Sequence, residues 1–448
     1  MPGNIVVIGA GWSGLAAAVR LSQEGYRVTV LESSPVPGGR ARSVTDGTSR
    51  IPIDWGQHLF LGCYRETKKL LEILGTRSHL KRVEGPVGLY EGGGKSGSVG
   101  LFSASLPLRM MGCLLGLSHM GWRARLDLGR VGLAVLEGAL SGREELERIT
   151  AMEWLERCGQ RDEAIEKFWR PLVVSALNEQ PEKASASMLE VVLRLGFFSG
   201  GDDSFPELPD VGLGELVALP AVKLIKEKGG RVLLKTKATG LRMDKGRARA
   251  AMLAGGDEVE GEVFIAAVPA WGLGPLLRDV KTRPCGRLVK DIGALRASPI
   301  VTLFIRTDRK IIDSAYAGIL GGSFHWIFDR TGLAHHNGGG PHDYALVCSA
   351  AHELMGKPKD ELVALAATDL RERFPDRADF RVLSSRIVKD GKATFSPLPC
   401  SSYRRPSSDI LLCNGILLAG DWTDTGLPAT LEGAVASGFK CADIVLGM

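Results

Sequence analysis

The feature that most constrains the fold of this chain is a glycine triad within its first fifteen residues. Gly9, Gly11 and Gly14 form the pattern GxGxxG between an apolar run at residues 5–8 and an Ala-rich segment at residues 15–21. A strand, a glycine turn and a helix in this order begin a βαβ unit that binds a dinucleotide. The first glycine permits the tight turn, the second lets the backbone approach a pyrophosphate, and the third lets the helix pack closely on the strand. The triad therefore predicts a parallel α/β sheet at the N-terminus.

An acidic residue after the next strand supports the same prediction. Residues 27–31 form a second apolar run, and Glu32 follows it directly. A carboxylate at this distance from the glycines accepts hydrogen bonds from ribose hydroxyls and disfavours a 2′-phosphate, which makes NADP a less suitable ligand. A purely structural glycine turn is the alternative interpretation. The cofactor-binding residues predicted from this unit are Gly9, Gly11, Trp12, Ser13, Gly14, Glu32 and Ser33.

A basic glycine turn and a C-terminal βα unit indicate FAD rather than NAD. The turn at residues 38–40 offers an arginine that can neutralise pyrophosphate charge. The unit at residues 416–438 has an aspartate at its strand end that can accept hydrogen bonds from a ribityl chain, and a helix whose N-terminus can stabilise negative charge on a reduced flavin. A surface turn and an ordinary closing βα unit are the alternatives. The predicted cofactor residues in these segments are Gly38, Gly39, Arg40, Gly420, Asp421, Thr430 and Leu431.

Length, charge and cysteine usage limit the class of protein. A chain of 448 residues exceeds one ordinary core, so we expect two domains. The net charge of +5 is too small to indicate nucleic acid as a partner. The eight cysteines are scattered, without CxxC or Cys/His metal-ligand spacing, which predicts no metal site and a reducing, cytoplasmic location. We expect neither a signal peptide nor a transmembrane helix, because no long apolar run occurs.

Together, these segments resemble the FAD-dependent amine oxidase and phytoene desaturase superfamily. The resemblance implies an α/β fold class, with a Rossmann-like FAD-binding domain and an inserted mixed α+β substrate domain. It also implies a backbone contact to adenine near Ala238. We expect the FAD to be non-covalent, because none of the cysteines occupies an evident attachment position. The segments expected to form the FAD domain are 1–70, 212–278 and 405–448. The substrate domain is expected to comprise a mainly helical part, 71–211, and a part with strands and helices, 279–404.

Four segments narrow the resemblance to the squalene-associated FAD-dependent enzymes. This family is described as hydroxysqualene dehydroxylases of bacterial squalene and hopanoid synthesis. It implies that reduced flavin supplies a hydride to hydroxysqualene, a hydrophobic C30 isoprenoid, and that the hydroxyl leaves as water. Association with other squalene-pathway enzymes stays open, and the electron donor is not identified. The segments that carry the resemblance are 53–67, 170–186, 323–330 and 417–438.

The stretch DWGQH, residues 54–58, is where the resemblance places the chemistry. The superfamily passes this segment beside the isoalloxazine ring, so Gly56, Gln57 and His58 are predicted to bind the flavin. An allylic hydroxyl leaves poorly unless it is protonated, and His58 is the leading candidate for the acid, with Asp54 as its orienter or alternate. The other interpretation is that Gln57 and His58 only hydrogen-bond flavin or backbone. Predicted substrate-lining residues are Leu59, Phe60, Phe324 and Trp326, with core packing as the alternative for the last two.

Residues 102–136 form an apolar, Met-rich segment punctuated by arginines. This pattern predicts a peripheral contact with the inner face of the membrane, where a polyprenyl substrate resides, or else a buried helical pair. Two other functions stay open. One is a desaturase or oxidase of a carotenoid, an amine or a porphyrinogen, in which electrons flow to FAD. The other is a non-catalytic FAD-bound component of a squalene-forming complex.

Overall fold

The computed structural model describes residues 3–44, 52–100, 112, 114–138, 143–199, 202–334 and 340–448. Its strands are β1 (Asn4–Ile8), β2 (Arg27–Leu31), β3 (Ser43–Val44), β4 (Ile53–Asp54), β5 (Phe60–Leu61), β6 (Leu80–Arg82), β7 (Val87–Tyr90), β8 (Ser96–Val99), β9 (Pro206–Pro209), β10 (Arg231–Leu233), β11 (Ala238–Asp244), β12 (Arg247–Leu253), β13 (Glu258–Glu260), β14 (Val263–Ala266), β15 (Ala297–Thr307), β16 (Tyr316–Ile319), β17 (Trp326–Asp329), β18 (His342–Ser349), β19 (Val382–Phe395) and β20 (Ile416–Leu418).

The α-helices lie mostly between residues 122 and 293 and at the two ends of the chain. They are α1 (Trp12–Gln23), α2 (Arg65–Leu74), α3 (Trp122–Gly138), α4 (Arg143–Leu146), α5 (Ala151–Arg157), α6 (Asp162–Ala164), α7 (Arg170–Leu177), α8 (Ala186–Leu193), α9 (Leu219–Glu227), α10 (Ala270–Leu276), α11 (Arg283–Gly293), α12 (Lys359–Arg373) and α13 (Leu431–Leu446). Among the residues that the structure describes, none of the helices has both the length and the apolar character needed to cross a membrane.

Five parallel strands form the first sheet, in the order β10-β2-β1-β14-β20. These strands are almost wholly apolar because both faces are covered. Helices α1, α9 and α13 pack on one face, and β11, β12 and α10 cover the other. The sheet takes its strands from three distant parts of the chain. The predicted fold class, an α/β domain with an inserted mixed domain, is confirmed.

A second sheet of seven strands dominates the inserted region, in the order β19-β15-β18-β17-β16-β7-β8. Alternate residues of its strands point to opposite faces, so the sheet has two separate apolar clusters. One face packs on α12, and the other packs against residues 53–59. We refer to the first sheet and the helices that cover it as the first domain. The part expected to be mainly helical also contributes β6 to β9, which have three or four residues each and are too short to show periodicity in sequence.

Helix α3 has two apolar faces. One face, which includes Leu128 and Val131, is buried in the core of the helical region. Leu117 and Met120, which precede the helix, are buried in the same core. The opposite face carries Trp122, Leu126, Leu133 and Leu136, which are 56%, 54%, 61% and 47% exposed. Their spacing of four, seven and three residues places these side chains on one side of the helix. We refer to the four residues as the exposed stripe.

Candidate cofactor and substrate site

The three glycines of the first turn are required for different reasons. Gly9 has a φ of +111°, and an added Cβ would lie 2.4 Å from the carbonyl oxygen of Ala267. A Cβ on Gly14 would lie 2.0 Å from the carbonyl oxygen of Gly9, so α1 can approach β1 only without it. Gly11 differs, because its Cβ would meet nothing closer than Gly39 Cα at 4.0 Å. The space beside Gly11 is therefore open to a ligand, as expected for the approach of a pyrophosphate.

Glu32 lies at the end of β2, where the neighbouring chain segments converge. Its carboxylate is buried and accepts hydrogen bonds from the backbone N–H groups of Ala10 at 2.8 Å and Ser34 at 2.7 Å. Its own carbonyl oxygen accepts a bond from the N–H of Thr236 at 2.7 Å. Ala238 follows two residues later, at the start of β11. Glu32 and Ala238, the proposed adenine contact, thus lie in the same region.

The other residues predicted in this unit lie around the same turn. Ser13 is buried in the first turn of α1, and the hydroxyl of Ser33 donates to Glu32 Oε1 at 3.3 Å. The indole of Trp12 is buried in the domain core and donates to the carbonyl oxygen of Ala41 at 3.3 Å. Through its side chain, Trp12 thus supports the turn at residues 38–41.

Two arginines surround Asp421. The guanidinium of Arg40 forms an ion pair with the Asp421 carboxylate and donates to the carbonyl oxygen of Ala393 at 2.7 Å. Arg405 is buried and holds the carbonyl oxygens of Asp421 and Thr423, each at 3.1 Å or less. Its Nη1 has no partner among the described residues. Sequence reasoning missed Arg405, because an isolated arginine in a coil carries no local pattern.

Asp54 is placed differently from the expectation that it orients His58. Its buried carboxylate accepts bonds from Ser43 Oγ at 2.5 Å, the N–H of Leu213 at 3.0 Å and Arg330 Nη2 at 3.3 Å. Burial raises the pKa of Asp54 and lowers the pKa of Arg330, and in each case the partner's charge acts in the opposite direction. None of these partners is His58, so Asp54 fastens the loop to the second sheet.

The loop between β4 and β5 carries buried polar atoms that lack hydrogen-bond partners. Gly56 has a φ of +100°, and both Gln57 Oε1 and His58 Nε2 are buried without a hydrogen bond among the described residues. Because a buried polar atom without a partner is unfavourable, this arrangement fits a ligand with polar edges, such as a flavin.

The charge state of His58 argues against its predicted role as an acid. Burial, followed by the positive charge of Arg40, lowers the pKa of His58 to about 4, although a hydrogen bond with the Trp55 backbone acts in the opposite direction. At neutral pH the imidazole is therefore neutral. The unpartnered Nε2 of this ring is suited to hydrogen bonding with a ligand rather than to supplying a proton as an imidazolium.

The structure divides the four predicted substrate-lining residues into two groups. Leu59 and Trp326 pack with the aromatic cluster on the sheet face that meets residues 53–59, and Trp326 Nε1 donates to Ser175 Oγ at 2.6 Å. Phe60 is fully buried in the first domain, with its ring centroid 6.0 Å from that of Trp12. Phe324 is fully buried in the cluster that packs on α12. Phe60 and Phe324 therefore do not lie on the face that Leu59 and Trp326 share.

The N-terminus of α13 is held in place by its own side chains. Thr430 caps the helix by accepting a hydrogen bond from the N–H of Gly433 at 3.1 Å. The carboxylate of Glu432 accepts bonds from the N–H groups of Glu66 at 2.8 Å and Thr67 at 2.9 Å, at the start of α2. Leu431 packs against the core that contains α1. The helix end predicted to face the flavin is therefore fixed on two neighbouring helices.

Comparison with known proteins identifies the class of cofactor. Residues 12–446 match the family model described as flavin containing amine oxidoreductase. The chain is 29% identical over 465 residues to hydroxysqualene dehydroxylase of Sinorhizobium fredii, a match that covers 100% of this chain and 99% of that protein. It is 25% identical to the chloroplastic 15-cis-phytoene desaturase of Solanum lycopersicum, covering 99% of this chain and 78% of the desaturase.

A solved structure shares the fold. The crystal structure of an oxidoreductase from Methanosarcina mazei superposes with a TM-score of 0.74 and 16% sequence identity, covering 98% of this chain and all of that one. At this identity the likeness supports the architecture alone.

Proposed function

The chain belongs to the family of flavin containing amine oxidoreductases and is a flavin-dependent oxidoreductase, and we propose that it reduces hydroxysqualene to squalene. The observation that carries the proposal is an apolar, aromatic sheet face beside the polar loop 56–58. This arrangement suits a long hydrocarbon that carries a single hydroxyl group. Full-length similarity to a hydroxysqualene dehydroxylase supports the same substrate. The proposed setting is bacterial squalene and hopanoid synthesis.

We propose FAD, bound without a covalent link, as the flavin. The open space at Gly11 and the guanidinium of Arg40 suit a pyrophosphate. The carboxylate of Glu32 suits the ribose of FAD, and the carboxylate of Asp421 suits its ribityl chain. None of the segments 9–14, 32–40, 56–58, 420–421 and 430–431 contains a cysteine that could attach the cofactor. When bound, FAD supplies the hydride of the reaction. The chain's own residues hold the cofactor, orient the hydrocarbon and exclude water.

An anaerobic single-turnover experiment tests the reaction. The purified protein is reduced with dithionite, mixed with hydroxysqualene in detergent, and followed by flavin absorbance and mass spectrometry. We expect one squalene to form for each flavin that reoxidises. A reduced flavin that persists in the presence of hydroxysqualene, with no squalene detected, would overturn the proposed substrate.

A desaturase is the second candidate, and the neutral state of His58 favours it. A neutral imidazole with an open Nε2 can accept a proton, as substrate oxidation requires, and a relative carries the name phytoene desaturase. The same flavin absorbance measurement distinguishes the two candidate functions. Bleaching of oxidised flavin by phytoene, without reaction of hydroxysqualene, identifies a desaturase.

The exposed stripe supports a peripheral membrane contact. Its four large apolar side chains face solvent on one helix, and the exposed Arg123 and Arg130 lie on the same helix. An apolar helix face with adjacent cations suits the surface of an anionic bilayer, which we propose to be the cytoplasmic face. The predicted segment begins at residue 102, but residues 102–111 and 113 lie outside the described residues.

Loss of vesicle binding is the expected result of charging the exposed stripe. Leu126→Asp with Leu133→Asp removes two exposed leucines, and we expect affinity for phosphatidylglycerol vesicles to fall at least about 10-fold in co-sedimentation. Leu219→Asp with Leu383→Asp is the matched control, because these leucines are 55% and 51% exposed on other elements. Equal binding by both double variants, or no binding by the wild type, would contradict the membrane contact.

A further inference from the structure

Tyr316 belongs to the aromatic cluster on the sheet face that packs against residues 53–59. It begins β16, and its ring packs 5.6 Å from the ring of Phe328 and 5.8 Å from that of Trp326, measured between centroids. Leu59 and Trp55, which flank the unpartnered polar atoms of residues 57 and 58, belong to the same cluster. Tyr316 therefore shares the cluster in which the proposed substrate would contact both the sheet and the loop.

The hydroxyl of Tyr316 has no hydrogen-bond partner among the described residues. The residue is 4% exposed, and only its backbone carbonyl is engaged, by Ser314 Oγ at 2.9 Å. Buried phenols ordinarily find a partner, and a phenylalanine would fill this site without leaving a polar atom unpaired. The Tyr316 hydroxyl is thus a polar group set among aromatic rings and free to pair with a hydroxyl group of a ligand.

The other titratable groups around this site are poor proton donors. Burial is the main reason that the pKa values of His58 and His325 fall to about 4, so both rings are neutral at pH 7. Asp54 is engaged by Ser43, Leu213 and Arg330. Burial raises the pKa of Tyr316, which keeps its phenolic proton in place over the working pH range.

We propose that the Tyr316 hydroxyl binds the hydroxyl group of the substrate and donates the proton with which it leaves. This inference rests on the proposed function. The C–O bond of hydroxysqualene breaks, the phenolic proton joins the departing hydroxyl to form water, and a hydride, which a bound reduced flavin would supply, forms the new C–H bond. The two electrons of the reduction would come from that flavin, and the phenolate of Tyr316 takes a proton back from solvent. The transfer is favourable because the departing hydroxide is a stronger base than a phenolate.

Tyr316→Phe tests the inference against a matched control in the same sheet. Tyr344 is also buried, but it lies in the cluster on the opposite face and its hydroxyl accepts a hydrogen bond from the N–H of Ile311 at 2.8 Å. We expect Tyr316→Phe to slow single-turnover squalene formation about 100-fold while its thermal midpoint stays at or above the wild-type value. Tyr344→Phe should do the reverse, lowering the midpoint without slowing the reaction.

Binding to the oxidised protein gives a readout that does not depend on turnover. Flavin absorbance changes on titration should show that Tyr316→Phe binds hydroxysqualene about 10-fold more weakly than the wild type but binds squalene equally well. If the wild type converts hydroxysqualene and Tyr316→Phe does so at the same rate, the inference fails and the proposed function stands. If the wild type neither binds nor converts hydroxysqualene, both fail.

Discussion

Gly11→Ala should leave a folded protein that no longer retains flavin. The backbone at Gly11 has a φ of −71°, which alanine adopts without strain, and the added Cβ would meet no protein atom within 4 Å except Gly39 Cα at 4.0 Å. The methyl group would instead occupy the space that we assign to the pyrophosphate. Loss of two charge-assisted hydrogen bonds, at about 1.5–3 kcal/mol each, corresponds to at least about 100-fold weaker FAD binding. Absorbance of the purified protein and titration of the apoprotein with FAD measure the change.

Gly14→Ala separates a binding effect from a folding effect. Its Cβ would lie 2.0 Å from the carbonyl oxygen of Gly9, so α1 must move away from β1. We expect this variant to lower the thermal midpoint of the apoprotein, whereas Gly11→Ala leaves that midpoint unchanged. Retention of a full complement of FAD by Gly11→Ala would show that the pyrophosphate does not lie beside this residue.

Arg330→Met should destabilise the protein by about 3–5 kcal/mol, because it leaves the buried carboxylate of Asp54 without its cation. Both side chains of the pair are 3% exposed, and the guanidinium also packs 5.0 Å from the Phe304 ring centroid and donates to the carbonyl oxygen of Pro52. Methionine retains the apolar contact with the ring but not the charge. The free energy of unfolding from urea titration measures the loss.

Two further variants show whether the uncompensated charge of Asp54 causes the loss of stability in Arg330→Met. Adding Asp54→Asn to Arg330→Met should recover part of the lost stability, because burial acts against the charged form of each partner and asparagine still accepts from the N–H of Leu213. Arg309→Met breaks an exposed pair with Asp379, at 2.7 Å, and should change stability by at most about 1 kcal/mol. Equal losses from Arg330→Met and Arg309→Met would contradict the importance of the buried pair.

The nucleotide-binding half of the fold could be predicted because its signals are local. Gly9 is required by its φ of +111° in the turn, and Gly14 by its contact with the Gly9 carbonyl in the same βαβ unit, so their spacing in sequence directly reflects the geometry of the turn. Glu32 directly follows β2, the next strand of that unit, and its N–H donates to the carbonyl oxygen of Leu233 in β10 at 2.9 Å. The ion pair between Asp54 and Arg330 joins residues 276 positions apart, and nothing in the neighbouring sequence of either residue indicates the other.

The substrate-lining residues were harder to predict. Side chains alternate between the two faces of a sheet only within one strand, so the pattern does not assign residues outside it. Trp326 and Phe328 share a face of β17, but Phe324 precedes the strand, so the alternation does not extend back to it. Strand β5 has only two residues, and Phe60 turns into the first domain while Leu59 faces the second sheet. Tyr316 stands out only in the structure, since its sequence neighbours do not show that its hydroxyl lacks a partner.

The order of strands in the first sheet also determines when during synthesis the domain can form. Strand β20 pairs with β14, and the Asp421 that follows it pairs with Arg40 near the beginning of the chain, so the sheet stays incomplete until residue 418 leaves the ribosome. At about 5–20 residues per second, β14 waits for about 8 to 30 s with an apolar edge uncovered. We expect the nascent chain to require chaperone protection during that interval, and premature termination before residue 416 to yield an aggregating fragment rather than a smaller flavoprotein.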